Sequence, residues 1–356
     1  MYIIVLLFAV CRHSNISAQG LKLLEEGHDS GYILDMREYL TVRLFAANKF
    51  AKYTPGDYGY SEKVSYKGND NYNVGVGFFY RYFGVNIAVK APFVNNDIDR
   101  RGRTKHLDAQ AFLYKRNLTA DFYYRTHKGY YSKDPLILNS PAESNIFPQR
   151  PDLRTWTGGA NLQYILNGRR FSYRAAFLQN EQQKKSAGSL VFGVGLHVTG
   201  VEADSAIIPG DIAYIGYFDN QSFNKSNVVS VAVNAGYAHT LVFKQHWFAT
   251  ASLVGGAGVN YTTLKTKGTG ESEASDGLQL DAIVRMSAGY NSEEYFAGVQ
   301  YINFINRNNA PVTGAWQQFQ SGNVRLTLAK RVKLGDKTQA RVNRVESRVR
   351  GWLGVE

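Results

Sequence analysis

The sequence predicts an all-β fold, a transmembrane antiparallel up-and-down β-barrel, and three observations lead to this prediction. Apolar and polar residues alternate along many strand-length segments, as they do when one face of a strand meets lipid and the other meets water. The 356-residue chain is rich in Tyr (24), Phe (20) and Gly (34) and poor in Pro (8). After the first residues, no stretch approaches the roughly 20 apolar residues that a transmembrane helix needs, which excludes a helical membrane protein.

The alternation predicts fourteen strands, an even number that places both termini on the periplasmic side. Twelve or sixteen strands are the alternatives. A strand within residues 206–218 is included because an odd number of crossings would put the later short turns on the wrong side. The predicted strands are residues 38–50, 72–80, 83–90, 105–116, 118–127, the two arms of a hairpin around residues 167–168, 190–201, one strand within 206–218, 228–240, 247–263, 278–290, 295–305 and 323–332.

The hairpin predicted between Arg154 and Ser189 is the clearest of these signals. Asn167-Gly168 favours a two-residue type I′ turn, because that turn needs positive φ at both central residues. In the second arm, Phe171, Tyr173 and Phe177 share one face of the predicted strand and Arg174 lies on the other. This arrangement is typical of a strand with aromatic rings toward lipid and a charged side chain toward the lumen.

The chain is predicted to have four parts. A short apolar run followed by Ser17-Ala18-Gln19 predicts a secretory signal peptide over residues 1–18. A periplasmic lead-in follows over residues 19–37, then the barrel over residues 38–333. Residues 334–356 form a basic tail whose Val and Trp residues fall at near-helical spacing, which predicts an amphipathic helix; a solvated, frayed tail is the alternative.

Charge and motifs limit the possible partners and chemistry. The net charge is +12, but basic residues are spread over turns, loops and tail without a stacking module, so we predict contact with outer-membrane lipid and not with nucleic acid. The single cysteine, Cys11, lies in the predicted leader, so the mature chain has no thiolate metal site. No metal-binding, phosphate-binding or nucleophile motif is recognisable in the sequence, so we predict no cofactor, no metal, no catalytic residue and no enzymatic activity.

One enzymatic alternative is weighed against that prediction. A lipid-modifying barrel would use Ser and His at its rim. The residues available for it are His127, His197, His239 and Ser252, whose spacing does not favour a nucleophile–base pair.

Charged residues opposite the apolar face are predicted to point into the lumen, where water or opposite charges must satisfy them. This set is Asp108, Asp121, Arg125, Arg174, Asp281, Arg285 and Arg325. Such residues can form salt bridges that stiffen the barrel, or a selectivity ring or binding site for an anionic solute.

Residues Phe171–Ser189, preceded by Arg150–Leu153, resemble the signature of a large Bacteroidetes family, domain of unknown function 4421. Weaker matches lie at Lys105–Asp108, Lys128–Tyr131 and Gly236–Phe243. The resemblance implies an outer-membrane barrel and no established activity. It also points to a loop motif of Glu181, Lys184, Lys185 and Ser186, which the strand prediction places at an outer loop. There the two Lys residues would pair with Glu181 and inward acids, or the loop would be a solvated charged turn.

Two functional hypotheses follow. The first is a solute channel or substrate-binding transporter of the outer membrane, with the lumen charges and the loop motif setting selectivity. The alternative is a plugged structural or assembly barrel that anchors a periplasmic or envelope partner through its long loops and C-terminal tail.

Overall fold

The computed structural model describes residues 27–69, 71–80, 83–91, 94, 97–134, 146–210, 216–266, 270–335 and 344. The predicted signal peptide lies outside these residues, as does the predicted tail apart from residues 334, 335 and 344. No helix in the described part of the chain combines the length and apolarity needed to cross a bilayer.

Fifteen strands and two short helices lie in the described ranges. The strands are β1 (Ile33–Asp35), β2 (Tyr39–Asp57), β3 (Tyr66–Lys67), β4 (Asn71–Tyr80), β5 (Phe83–Lys90), β6 (Lys105–Tyr114), β7 (Leu118–Tyr131), β8 (Gln149–Ile165), β9 (Glu181–Gln183), β10 (Ala187–Glu202), β11 (Lys225–Phe243), β12 (Trp247–Lys265), β13 (Ser272–Asn291), β14 (Tyr295–Asn309) and β15 (Ala315–Lys333). The helices are α1 (Ile98–Arg101) and α2 (Tyr173–Phe177), and residues Tyr217–Asn220 form a 3₁₀ turn.

The strands form a closed antiparallel barrel. Thirteen of them make one sheet, while β1 and β9 form a separate pair. Ten strands, β2, β3, β7, β8 and β10–β15, close a ring in which β15 pairs with β2 along the whole length of both. The other three lie outside this ring: β4 and β5 extend from β2, and β6 pairs with β7. The predicted all-β barrel is confirmed, but the count of fourteen strands is not.

Two of the predicted strands are wrong or absent from the described residues. The predicted second hairpin arm is instead a turn and α2, and neither Asn167 nor Gly168 has positive φ. A Cβ on Gly168 would lie 2.1 Å from Oδ1 of Asn117 and 2.3 Å from the Arg116 carbonyl oxygen, so close contact with the β6–β7 turn explains this glycine. The described part of residues 206–218 contains no strand.

The barrel wall has the polarity of a membrane protein. Outward side chains are large, apolar and exposed; Val233, near the middle of β11, is 69% exposed. Inward side chains are polar and buried; Arg285 is 2% exposed, and Asn161, Gln163, Thr199 and Gln279 are also buried. Water-soluble sandwiches have the opposite arrangement, because their strands turn apolar residues inward. The outer surface of this barrel is therefore suited to contact with the hydrocarbon core of a bilayer.

The two ends of the barrel differ in their connections. At one end, here called the turn end, residues 115–117, 244–246 and 292–294 make short turns, and β2 begins and β15 ends there. At the other, the loop end, longer segments join β2 to β4, β5 to β6, β7 to β8 and β10 to β11.

Residues 166–186, here called the plug segment, fill the lumen at the turn end. Phe171, Tyr173, Ala176 and Phe177 are buried in one apolar cluster with inward residues of the wall. β9 of this segment pairs with β1, so the N-terminal residues also lie against it. Hydrogen bonds join the plug segment to β2, β12, β13, β14 and β15, and in four of these five the side chain of the wall donates. The segment is therefore fastened to strands around much of the barrel.

Residues 203–224, here called the cap segment, cover the loop end where they are described. Ile207, Ile208, Phe218 and Phe223 pack with inward side chains of eight strands. The Tyr217 hydroxyl donates to the Pro55 carbonyl at 2.8 Å and accepts from the Val64 N–H at 3.2 Å. Burial raises the pKa of Tyr217 to about 12, so this hydroxyl remains a donor at neutral pH.

Candidate functional site

A chamber of about 470 Å³ lies inside the barrel above the plug segment. Its walls come from β2, β4, β5, β6, β7, β13, β14 and β15, and its floor includes Phe177 and Leu178. The volume falls within the roughly 300–1,000 Å³ of small-molecule sites. It is the clearest candidate functional site in the structure.

Cations outnumber carboxylates in the chamber. Five cationic side chains line it (Arg43, Lys49, Arg125, Arg285 and Arg325), against two carboxylates (Asp108 and Asp121). The surplus is three positive charges. Aromatic and aliphatic side chains make the rest of the wall: Phe45, Phe112, Phe177, Leu178, Ile302 and Phe304. Charged and apolar surfaces therefore face the same space.

Asp108 is held by two of these cations. Its carboxylate lies 2.8 Å from Nζ of Lys49 and 3.2 Å from Nε of Arg125. Arg125 also donates to Oγ of Ser321 at 2.9 Å and lies 4.9 Å from the Phe304 ring centroid. This group of contacts joins β2, β6, β7 and β15 across the lumen, so it fixes both residues in place.

Asp121 pairs with Arg285. Its Oδ2 lies 2.7 Å from a terminal nitrogen of Arg285, whose other terminal nitrogen donates to Gln163 at 2.9 Å. The Tyr114 hydroxyl donates to the second oxygen of Asp121 at 2.7 Å. Both charges are therefore satisfied within the barrel.

Arg43 and Arg325 differ from these cations. Among the described residues, neither has a carboxylate within ion-pair distance. The guanidinium of Arg43 donates to the amide oxygens of Asn86, at 2.6 and 2.9 Å, and of Gln179, at 2.7 Å, and stacks 4.3 Å from the Phe79 ring centroid. Arg325 lies 4.9 Å from the Phe45 ring centroid. These two residues carry two of the three surplus positive charges, which an anion could neutralise.

Glu181 is the centre of the plug segment. Its carboxylate, fully buried, accepts two hydrogen bonds from Arg116 at 2.7 and 3.0 Å and one from Arg174 at 3.2 Å. The Ser172 hydroxyl also donates to it. Buried carboxylates persist only when they are paired in this way. Glu181 thus connects the plug segment to the β6–β7 turn.

The structure corrects the predicted loop motif. Glu181, Lys184, Lys185 and Ser186 lie at the turn end, not at an outer loop, because the predicted second hairpin arm is not a strand. Lys184 donates to the Ser30 carbonyl at 2.9 Å, Lys185 lies 5.6 Å from the Tyr32 ring centroid, and Ser186 accepts from the Val242 N–H at 2.9 Å. Glu181 pairs with arginines instead of these lysines.

The residues predicted for the lumen fall into two groups. Asp108, Asp121, Arg125, Arg285 and Arg325 line the chamber. Asp281 is on an inward face elsewhere, 3.5 Å from Nε2 of His197. Arg174 was predicted on a lumen-facing strand position, but it belongs to α2 and is buried in the plug segment.

Sequence reasoning missed several residues of this site. Arg43 and Lys49 were detectable, because they alternate with Leu40, Val42 and Leu44 in the first predicted strand. Arg116 and Gln179 had no such signal, since one is in a turn and the other in the plug segment.

The candidate catalytic residues do not form a catalytic arrangement among the described contacts. Ser252 bonds to the Tyr173 hydroxyl at 2.6 Å, and Nδ1 of His197 to the Tyr123 hydroxyl at 2.8 Å. His127 stacks on His106, and His239 bonds to Tyr237. The residues with described positions contain no group of three or more His, Cys, Asp or Glu suited to a metal ion.

The wall of the chamber has a side opening between β5 and β6. The two-residue strand β3 bridges β2 and β7 toward the loop end. Beyond it, β5 pairs only with β4, and β6 only with β7. The inward residues Asn86, Ala88 and Gln110 line the chamber and are nevertheless exposed. They are reached through the gap between the two strands.

Comparison with solved structures finds barrels at low similarity. The outer-membrane protease OmpT from Escherichia coli is 10% identical, with 84% of this chain and 98% of that chain covered and a TM-score of 0.38. The toluene transporter TodX from P. putida is 8% identical, with 83% and 91% covered and a TM-score of 0.28. CdiB from Acinetobacter baumannii is 7% identical, with 79% and 60% covered and a TM-score of 0.23. No curated protein matches the sequence.

The first of these matches corrects the prediction that the protein is not an enzyme. That match is with a protease, while others are with a toluene transporter and a monoaromatic hydrocarbon channel.

A family model gives the clearer result. It matches residues 27–328, from the N-terminal residues before β1 to within β15, and its description is a domain of unknown function. The plug segment and most residues of the chamber lie inside this range. Because the match covers most of the sequence, the chain belongs to the family described as domain of unknown function DUF4421.

Proposed function

We propose that this protein is an outer-membrane β-barrel that binds an anionic solute in the chamber and transports it when the plug segment moves. The exposed apolar belt and the polar interior support the membrane location. Short turns of outer-membrane barrels usually face the periplasm, so the turn end and the plug segment would be periplasmic.

The observation that carries the proposal is the surplus of cations in the chamber. Asp108 and Asp121 are each paired, whereas Arg43 and Arg325 contact amides and rings. A cation removed from bulk water is costly unless a counter-charge accompanies it. A bound anion would supply that charge, and guanidinium groups are well suited to carboxylates and phosphates.

The plug segment and the cap segment occupy the two ends of the barrel, which supports gated transport and not an open pore. The plug segment is fastened by Glu181, Gln179 and Tyr173, and the cap segment by Tyr217. An open channel would need a continuous wet path, so passage of a solute requires one of these segments to be displaced. The plug segment is the candidate we choose, because its buried ion pairs converge on a single carboxylate, that of Glu181.

Binding is tested with benzoate as the anionic probe and benzamide as its neutral counterpart, titrated into purified full-length protein in nanodiscs. We expect the double variant R43Q/R325Q to bind benzoate at least ten-fold more weakly. R154Q, whose side chain is 45% exposed at the rim, is the control and should bind as the unmodified protein does. Equal benzoate and benzamide affinity, or no effect of the double variant, would overturn the proposed anion site.

Transport is tested in planar bilayers and in liposome swelling assays. We expect little benzoate flux through the unmodified protein and a clear increase with E181Q, which removes the charge that holds Arg116 and Arg174. No flux in either case would contradict a transport role.

The second candidate is a plugged barrel that anchors envelope or secretion partners. This role is favoured by the plug segment and the cap segment, which occupy the two ends of the barrel. Two results together would support this role over transport. Partners captured by crosslinking would be lost when residues 334–356 are removed, and E181Q would show no benzoate flux.

A further inference from the structure

We infer that the chamber takes a membrane-borne anionic amphiphile, with one acyl chain and an acidic head, and that this ligand enters sideways from the bilayer between β5 and β6. The inference rests on the proposed anion site and adds the class of ligand and its route. Three features of the side opening lead to it.

The first feature is where the side opening lies. Outward residues on both of its borders are apolar and exposed: Ile87 and Val89 of β5 are 59% and 64% exposed, and Leu107 of β6 is 58% exposed. In a barrel of this polarity such residues face hydrocarbon. The gap therefore faces the acyl chains of the bilayer, where a water-soluble solute would be scarce.

The second feature is the chemistry of the wall inside the opening. Phe112 of β6 stacks on Phe79 of β4 at 5.6 Å between ring centroids, and Phe45, Phe177 and Ile302 also line the chamber. The guanidinium of Arg43 lies 4.3 Å from the Phe79 ring centroid, so a charged group adjoins this apolar surface. An acyl chain could lie on the rings while its acidic head reaches Arg43 and Arg325.

The third feature is the pair of unpartnered strand edges. β5 and β6 share no backbone hydrogen bond, although each pairs fully with its other neighbour. Backbone N–H and C=O groups left without partners in hydrocarbon cost several kcal/mol each, which is why membrane barrels are closed. A polar head passing between the edges, or the wet chamber behind them, offers those groups partners. In a closed wall, β5 and β6 would be hydrogen-bonded to each other and their edges would need no such partners.

Binding is tested with oleate as the amphiphile, monoolein as its neutral counterpart, and A88W as the variant that fills the opening. Ala88 faces the chamber from β5, whereas Val89 faces lipid, so V89W is the matched control. We expect oleate to bind the full-length protein in nanodiscs, monoolein to bind at least ten-fold more weakly, and A88W to weaken oleate binding at least ten-fold while V89W does not.

A second measurement does not depend on the variants. Oleate carrying a photoreactive diazirine should label β5, β6 or the chamber rings of the unmodified protein, identified by mass spectrometry of peptides. Labelling confined to the rest of the outer wall would overturn the inference, as would equal effects of A88W and V89W. A lysophospholipid with a phosphate head distinguishes the source of the acidic group; stronger binding than oleate would identify a phospholipid-derived ligand.

The result also separates the inference from the proposed function. Benzoate binding that depends on Arg43 and Arg325, without oleate binding, would leave the anion site standing and remove the sideways route. Absence of binding by both probes would contradict both. If A88W changed only self-association of the protein, the opening would be an interface between copies and the inference would fail.

Discussion

At the scale of single residues, Glu181 decides how firmly the plug segment is held. Its carboxylate faces two buried arginines, Arg116 and Arg174. Replacing it with Gln removes the carboxylate with which both arginines form ion pairs. Breaking a buried pair by removing one partner costs about 3–5 kcal/mol, because a charge is left uncompensated.

We therefore expect E181Q to lower the hydrogen-exchange protection of residues 171–183 strongly. The matched control is E202Q, because Glu202 forms longer pairs at the rim with Arg154 and Lys225, at 3.5 and 3.4 Å. An exposed pair of this kind contributes about 0–1 kcal/mol. Similar protection in the two variants would show that the Glu181 contacts do not hold the plug segment.

Gly77 makes the room that Arg43 occupies. A Cβ at this position would lie 2.3 Å from Oδ1 of Asn86 and 2.6 Å from Nε of Arg43. We expect G77A to displace the arginine, to cost about 1–3 kcal/mol in free energy of unfolding as overpacking does, and to weaken benzoate binding. G255A is the control, because a Cβ there meets no atom within 4 Å. Unchanged binding by G77A would indicate that the position of Arg43 is unimportant.

At the scale of elements, the sequence predicted strands well where outward side chains are apolar and inward side chains are polar. The prediction of residues 83–90 coincides with β5, and those around β6 and β14 begin at the observed residues. It failed at residues 171–178, where aromatic rings alternate as they would in a strand. There the rings fill the lumen, so the rule that apolar residues face lipid does not apply. A local pattern cannot distinguish these two surroundings.

The candidate site was predictable in part for the same reason. Residues on wall strands, such as Asp108 and Arg285, follow from alternation. The partners of the plug segment do not, because Glu181 meets Arg116 across 65 residues of chain, and no local spacing predicts that contact.

The pairing of β1 with β9 is the element by which the N-terminal residues touch the plug segment. Leu34 lies opposite Gln182 in this antiparallel pair. Facing Cα atoms in such a pair are about 5.5 Å apart or closer, which suits a disulfide. We expect L34C/Q182C, in a C11S background, to form a disulfide on mild oxidation, detected by a shift in non-reducing electrophoresis.

The control for this crosslink is L34C/K185C. Lys185 lies three residues further along, about 10 Å at the rise of a strand, and is exposed. Equally fast oxidation of both pairs would mean that β1 has no fixed register on β9.

At the scale of the whole molecule, the inverted polarity of the wall predicts a dependence of stability on depth in the bilayer. Val233 lies near the middle of β11 and faces outward, whereas Thr263 lies near the loop end of β12, two residues before its last residue. Arginine facing lipid costs about 2–4 kcal/mol at the bilayer midplane and about 0–1 kcal/mol near the interfaces. We therefore expect V233R to lower the free energy of unfolding in lipid vesicles by the larger amount and T263R by the smaller, measured by urea titration and tryptophan fluorescence. In a water-soluble body both positions would be exposed surface, and arginine would change stability little at either. Equal and small effects would therefore mean that this wall does not meet hydrocarbon, and the sideways route for an amphiphile would lose its physical basis.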